Sequence, residues 1–257
     1  AAIDTALEFS RKLQDSNGQS ESSLFGGKEE SAGFIVEPQI PNVPEWSLKE
    51  KLAKEKEFLN FYLSGHPLER FRLLVDLLST SRLNDVEMLS QSTVVRVCGV
   101  ISQVSTKIDK NNQKFAFLNI EDFYSKAECV VWSDTYARYF KLLEEGNIIL
   151  VIGKPEMREN NLKIFANEIY AVEDAANKFI QGFHIYLNIN EIDRTKIEKL
   201  SELCNKPDSS KRFIFIIRDN GTRKAYIAED VKFEVSENNI KKLFDLFGES
   251  NVKIIKN

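Results

Sequence analysis

The residues able to do acid–base, nucleophilic or metal chemistry are few and scattered in this chain. There are two histidines, His66 and His184, and three cysteines, Cys98, Cys129 and Cys204. No Cys, His or Asp stands at ligand spacing from His66, so a metal knuckle is not expected. His66 lies between Gly65 and Pro67, where its natural work is to bond nearby backbone and hold a turn. His184 alternates along a strand-like stretch and reads as structural. Asp4, Asp15 and Asp76 are dispersed rather than paired, and Glu121-Asp122 end a strand, where carboxylates accept turn amides. There is no glycine-rich phosphate loop and no nucleophile elbow. The chemistry that the residue types do offer is non-covalent. Arg96, Lys107, Lys110, Lys114, Phe115, Phe117, Lys126, Trp132, Lys154, Arg158 and Lys163 interleave cations with aromatic rings. Bases of a single nucleic-acid strand stack on such rings while cations track its phosphates, each stacked base contributing about 1–3 kcal/mol. Phe115 and Phe117 would serve equally well as core residues.

These residues fall in a segment whose pattern is that of a small barrel. Thr93–Val104 is β-branched, with Gly99 in its middle as a mark of a bulge or sharp bend. Asp109–Asn112 is a turn; Lys114–Ile120 alternates, with Phe115 and Phe117 on one face and Ala116, Leu118 and Ile120 on the other. Ala127–Trp132 is a third strand, Asp134–Leu143 a helix capped by Ser133, and Asn147–Glu156 and Leu162–Val172 are two further strands. Three strands, a helix and two strands is the order of an OB fold, a five-stranded Greek-key barrel, assigned to residues 92–175. Lys107, Lys110 and Lys114 would surround the loop between its first two strands; Lys154, Arg158 and Lys163 would bracket its last hairpin.

The flanking segments differ in composition. Residues 1–15 have apolar residues at helical spacing, whereas 16–45 are dominated by Ser, Gly, Glu and Pro and read as a disordered linker with one apolar island, Leu24-Phe25. In 46–91, Ser47 and Glu50 form a capping box that opens a helix running to Ser64, and a second helix runs from Pro67 to Leu78. A corner lies between them at Gly65-His66-Pro67. Residues 178–257 mix strands and helices: strands at His184–Ile189, Phe213–Arg218, Ala225–Ile227, Val231–Glu234 and Val252–Ile255, and helices at Asp193–Leu203 and Glu237–Phe247. The fold class expected is multidomain: a helical N-terminal arm, an OB-fold β-barrel and a small C-terminal α/β (α+β) domain.

Charge and cysteine content bound the rest. The net charge is −4, so no global basic field marks a nucleic-acid binder. It is uneven: −5 over residues 1–91, −2 over 92–177 and +3 over 178–257. Nucleic-acid affinity should therefore be weak and fade with salt. Three widely spaced cysteines imply no disulfide framework and a reducing, cytoplasmic setting, and no apolar stretch is long enough to span a bilayer. A start at Ala-Ala-Ile without Met leads us to expect a fragment of a longer protein.

The run Lys54-Glu55 through Leu59, Phe61-Tyr62-Leu63-Ser64-Gly65-His66-Pro67-Leu68 resembles a segment of the alpha (polymerase) subunit of bacterial DNA polymerase III, between its helix-hairpin-helix region and its OB domain. The likeness continues through Val95–Ile101, Phe117–Asp122, and Tyr136, Tyr139 and Leu142–Gly146. Residues 1–15 resemble the end of the helix-hairpin-helix region. Residues 178–257 resemble the C-terminal domain, which in some members contacts the tau subunit of the clamp loader. The resemblance also implies a sliding-clamp motif ending in Leu-Phe: Glu21, Ser22, Ser23, Leu24 and Phe25 stand at its place, 40 residues ahead of Gly65. The family's motif usually begins with Gln; Glu21 lacks that amide donor, which implies weaker affinity or a different pose, and Gln19 would fit only in a shifted register. The palm carboxylates, fingers and PHP domain of the family have no counterpart here. The resemblance thus implies a non-catalytic rear portion that tethers single-stranded DNA, clamp and tau, from a magnesium-using DNA-directed DNA polymerase. Two other classes carry OB barrels: the anticodon-binding part of class II aminoacyl-tRNA synthetases, and stand-alone single-strand-binding proteins.

Overall fold

The computed structural model describes residues 3–20, 44–86, 93–158, 161–204, 210–219 and 221–257. Residues 1–51 form one unit and 52–257 another.

The first unit contains α1 (Ile3–Ser20) and the start of α2 (Leu48–Leu59). α1 extends five residues beyond the expected boundary at residue 15, so the linker does not begin at 16. The capping box at the start of α2 forms as expected: the Ser47 N–H donates to Glu50 Oε2 at 3.0 Å and the Glu50 N–H to Ser47 Oγ at 3.3 Å.

In the second unit, α2 ends at Leu59 rather than Ser64. Asn60 takes a left-handed φ of 63°, which stops a helix, and the Glu55 carboxylate accepts the Leu63 and Ser64 N–H groups at 2.8 Å, holding the chain in a non-helical loop. Gly65 then adopts φ 136°, a value open in practice only to glycine. Pro67–Phe71 is a 3₁₀ turn, not the start of an α-helix, and α3 (Arg72–Leu78) follows it. His66 is its N-cap: Nδ1 accepts the Leu68 N–H at 3.2 Å. A short α4 (Leu83–Val86) leads to the barrel.

The barrel comprises β1 (Val95–Ile108), β2 (Lys114–Glu121), β3 (Lys126–Val131), β4 (Ile148–Arg158) and β5 (Asn161–Ala171), with α5 (Ser133–Tyr139) between β3 and β4. It closes in the order β1-β2-β3-β5-β4, with β3 and β5 parallel and the other pairs antiparallel. Its interior is filled by Val95, Val97, Ile101, Ala116, Leu118, Ile120, Cys129, Ile149, Val151 and Ile164. Trp132, not Ser133, caps α5: it is the last extended residue, and its carbonyl accepts the Tyr136 N–H at 2.7 Å. β1 exchanges partners at Val100, pairing β4 before it and β2 after it. Gly99 lies at that exchange, where a Cβ would sit 3.1 Å from the Glu121 carbonyl; the bulge itself falls between Ile101 and Gln103.

After β5 comes α6 (Val172–Phe179), where only a connector was expected. Then follow β6 (Ile180–Asn188), α7 (Arg194–Leu203), β7 (Ser210–Asp219), β8 (Thr222–Lys232), α8 (Glu237–Phe247) and β9 (Val252–Lys256). β8 is one strand covering Ala225–Ile227 and reaching Lys232, not two. The sheet runs β8-β7-β6-β9, with β6 and β7 parallel across the α7 crossover.

One core joins this sheet to the barrel. Phe183, Phe213 and Phe233 pack with Leu68, Leu74, Val75 and Leu78 of the corner and α3, with α6 and α8, and with Cys98, Val100, Ile148 and Leu150 of β1 and β4. Residues 95–101 of β1 and 148–152 of β4 are thus buried on both faces, which is why each reads there as a nearly continuous apolar run.

Candidate nucleic-acid interface

Covering the first halves of β1 and β4 leaves the outer face of β2, β3 and β5, with the far halves of β1 and β4, as the side of the barrel on which a ligand can lie. Three ladders of side chains cross it. In one, Lys107 pairs with Phe115, and the Phe115 ring centroid lies 5.4 Å from that of Trp132. In the next, Ser105, Phe117, Val130, Phe165 and Lys154 are successive cross-strand partners. In the third, Gln103, Asn119, Glu128, Lys163 and Glu156 follow one another. Phe115 and Phe117 are therefore outward-facing and not barrel core; their centroids are 5.5 Å apart, edge to face. Trp132 is 51% exposed and the Lys107 ammonium sits 5.0 Å above the Phe117 ring. Bases would find one ring of each kind of orientation here, beside a cation already held in place by its ring.

The loop between β1 and β2 is built by Asp109, whose Oδ1 accepts the N–H groups of Asn111 and Gln113, both at 2.8 Å, while Asn112 takes φ 61°. It presents Lys107, Lys110 and Lys114, all exposed, beside the Phe115 end of the aromatic surface. Among the described residues no carboxylate pairs with these three or with Lys154.

The other sequence candidates go elsewhere. The Lys126 ammonium pairs with Glu121 at 2.9 Å and Lys163 with Glu128 at 2.6 Å, so both charges are compensated. The Arg96 guanidinium lies 4.3 Å over the Phe179 ring and donates to the Asn257 carbonyl at 2.9 Å, on the covered side of the barrel. The side chain of Arg158 and the segment Glu21, Ser22, Ser23, Leu24 and Phe25 lie outside the described residues. Phe165 was missed; the alternation of buried Leu162, Ile164 and Ala166 with outward Lys163 and Phe165 was the signal that could have found it, whereas Val130 in the same ladder is buried beneath its neighbours.

Below the aromatic surface a polar cleft of ≈810 Å³ is lined by Lys56, Gln103, Asn119, Glu121, Lys126, Glu128 and Lys163. Glu121 anchors it. Burial raises its carboxyl pKa, but hydrogen bonds from Lys126, Lys56 and Ser102 outweigh that and hold it below the usual carboxylate range. Lys56 reaches Glu121 at 3.1 Å and so ties α2 to the end of β2. Asp122 is a turn former, as expected: its carboxylate accepts the N–H groups of Tyr124, Ser125 and Leu83 at 2.7–2.8 Å. Among the described residues no group of three His, Cys, Asp or Glu side chains could hold a metal ion, and no helix is long and apolar enough to cross a membrane.

Residues 95–172 match the family model described as an OB-fold nucleic acid binding domain. The chain is homologous, at low identity and over part of their length, to alpha subunits of bacterial DNA polymerase III. That of Borreliella burgdorferi is 30% identical over 226 residues, covering 85% of this chain and 20% of the relative. That of Vibrio cholerae is 22% identical over 258 residues, covering 99% and 22%. The chain thus spans 20–22% of the length of these curated relatives. Among solved structures, the second OB-fold domain of replication protein A from Methanococcus maripaludis is 16% identical and covers 36% of this chain and 96% of that chain, with a TM-score of 0.28, too low to bear on function.

Proposed function

We propose that the barrel binds single-stranded DNA across Phe115, Phe117 and Trp132, within a non-catalytic portion of a bacterial replicative DNA polymerase. The observation that carries this reading is the convergence of three rings, each within 5.5 Å of a neighbour, on the side of the barrel left uncovered by the C-terminal sheet. Lys107, Lys110, Lys114 and Lys154 supply phosphate contacts. In this reading the parent is a DNA-directed DNA polymerase whose magnesium-dependent centre lies in other domains. Glu21–Phe25 serves as a clamp-binding motif and residues 178–257 as the surface toward the tau subunit. The sequence likeness to the alpha subunits supports these last assignments.

The test is titration of a fluorescein-labelled oligothymidylate followed by anisotropy, with Trp132 fluorescence in a Trp46→Phe background as a second readout for variants that keep Trp132. Quenching on binding is expected. Trp132→Ala or Phe115→Ala should each cost about 1–3 kcal/mol, a five- to 150-fold loss. Four phosphate contacts at about −0.7 each predict a slope of log affinity against log salt near −3. Unchanged affinity in both ring variants would move the strand off this face, and preferential binding of transfer RNA would favour the anticodon-binding alternative. Leu24→Ala with Phe25→Ala should abolish capture by sliding clamp; intact capture would remove that motif from the scheme.

A further inference from the structure

The C-terminal sheet has helices α6, α7 and α8 on one face, against Phe183, Ile185, Leu187 and Phe213. Its other face carries four ordered ladders. Gly182, Arg212 and Ile255 lie at one end, beside Glu229 and Asp230. Next come Lys253, His184, Ile214 and Ile227, then Tyr186, Ile216 and Ala225, and at the far end Asn188, Arg218 and Arg223.

Charge is segregated along this face. At the first end Arg212 pairs with Glu229 at 3.6 Å and Ser210 Oγ donates to Asp230 at 2.8 Å. At the far end Arg218 and Arg223 are direct cross-strand partners. Like charges in that relation destabilise a strand pair. Among the described residues neither guanidinium has an ion-pair partner. A cleft of ≈260 Å³ opens beside them, lined in part by Tyr186, Asn188, Glu191 and Arg218. Glu191 shares the cleft but makes no ion pair with either; its carboxylate is turned to Asn188, which donates its backbone N–H at 3.1 Å and its side-chain amide at 2.8 Å. One ladder away, about 6.6 Å along the strands, Tyr186, Ile216 and Ala225 form a low shelf ending in an aromatic ring.

We propose that this end of the sheet is a second nucleic-acid contact: Arg218 and Arg223 hold successive phosphates of a single strand and Tyr186, on the next strand beyond Arg218, stacks an adjoining base. Guanidinium pairs suit phosphate because each presents a planar fork of donors, and a bound dianionic stretch removes the repulsion that the two groups exert on each other. The inference extends the single-strand reading of the barrel to a second surface; two weak contacts on one strand raise its overall affinity by effective concentration.

The experiment titrates the full chain with a long oligothymidylate and maps ultraviolet cross-links by mass spectrometry. Arg218→Glu with Arg223→Glu should lower affinity at least tenfold and reduce the magnitude of the salt slope by about 1.4, two contacts at about 0.7 each. A cross-link at Tyr186 is expected and should vanish in that variant. Arg218→Gln should lower affinity while leaving the melting temperature equal or higher; a lower melting temperature with unchanged affinity would make the pair structural and overturn the proposal. Loss of binding in the barrel variants alone sinks this proposal and keeps the barrel; loss in the arginine variants alone does the reverse; no binding by the wild-type chain removes both. Displacement of the strand by poly-glutamate at equal charge would assign the face to an acidic polypeptide and also overturn it.

Discussion

His66 turns a sequence motif into a fixed corner. It caps the 3₁₀ turn through Nδ1 and packs its ring 5.6 Å from Tyr62 and 5.0 Å from Phe123. Burial holds its imidazole below the usual histidine range, against the pull of Glu121, Asp122 and Glu69. As pH falls below about 6.5 the unfolded chain takes up this proton before the folded one does. The stability that His66 contributes is therefore complete above that pH and is lost as pH falls toward the depressed value. His66→Ala should cost about 1–2 kcal/mol in urea unfolding and flatten that acid limb, whereas His66→Asn, which keeps a capping oxygen, should cost less. An acid limb that persists unchanged in His66→Ala would assign it to another group. The role of His66 was legible because its partner stands two residues away. That of Glu121 was not: its second cation, Lys56, is 65 residues away, and no local pattern announces such a pair.

At the scale of elements, periodicity located the strands, while element ends were set by contacts from elsewhere. α3 is the clearest case. The N–H groups of Leu73 and Leu74 donate to the two carboxylate oxygens of Glu237, at 3.2 and 3.0 Å, and Glu237 is buried at the start of α8, 163 residues along the chain. A cap usually supplied by the preceding residue comes here from another helix. Glu237→Ala leaves two amides without their acceptor and should cost about 2–4 kcal/mol; Glu237→Gln, which retains one acceptor oxygen, should cost roughly half of that. Equal losses in thermal unfolding would show that the charge, not the acceptor geometry, is what matters. α6 is a different kind of miss. Val172, Ala175, Ala176 and Phe179 do fall at helical spacing, but Glu173 and Asp174 between them look like a polar connector until a core is known to lie on the other side.

For residues 52–257 as a whole, the decisive feature is that β1 and β4 serve two cores. Cys98 belongs to the core shared with the C-terminal sheet and Cys129 to the barrel interior, and burial pushes both thiols up to about 12. Cys204 is half-buried and is pushed by burial to about 11. In native protein at mildly alkaline pH, Cys204 should react with a thiol reagent well before the other two. Along a urea series Cys98 and Cys129 should become reactive together, because the strands that bound one core bound the other. Exposure of Cys98 at distinctly lower urea would show that the C-terminal sheet detaches first. The strand-like segments of residues 93–172, with the helix between the third and fourth, the turn at Asp109 and the Gly65-His66-Pro67 corner, determined by themselves that there is a five-stranded barrel preceded by a sharp corner, because period and turn chemistry are local. Which face of that barrel meets solvent, and hence that Phe115, Phe117 and Trp132 stay open while Arg96 is sequestered, was decided only by tertiary packing, because a strand's pattern tells which side chains share a face but not what comes from far along the chain to cover it.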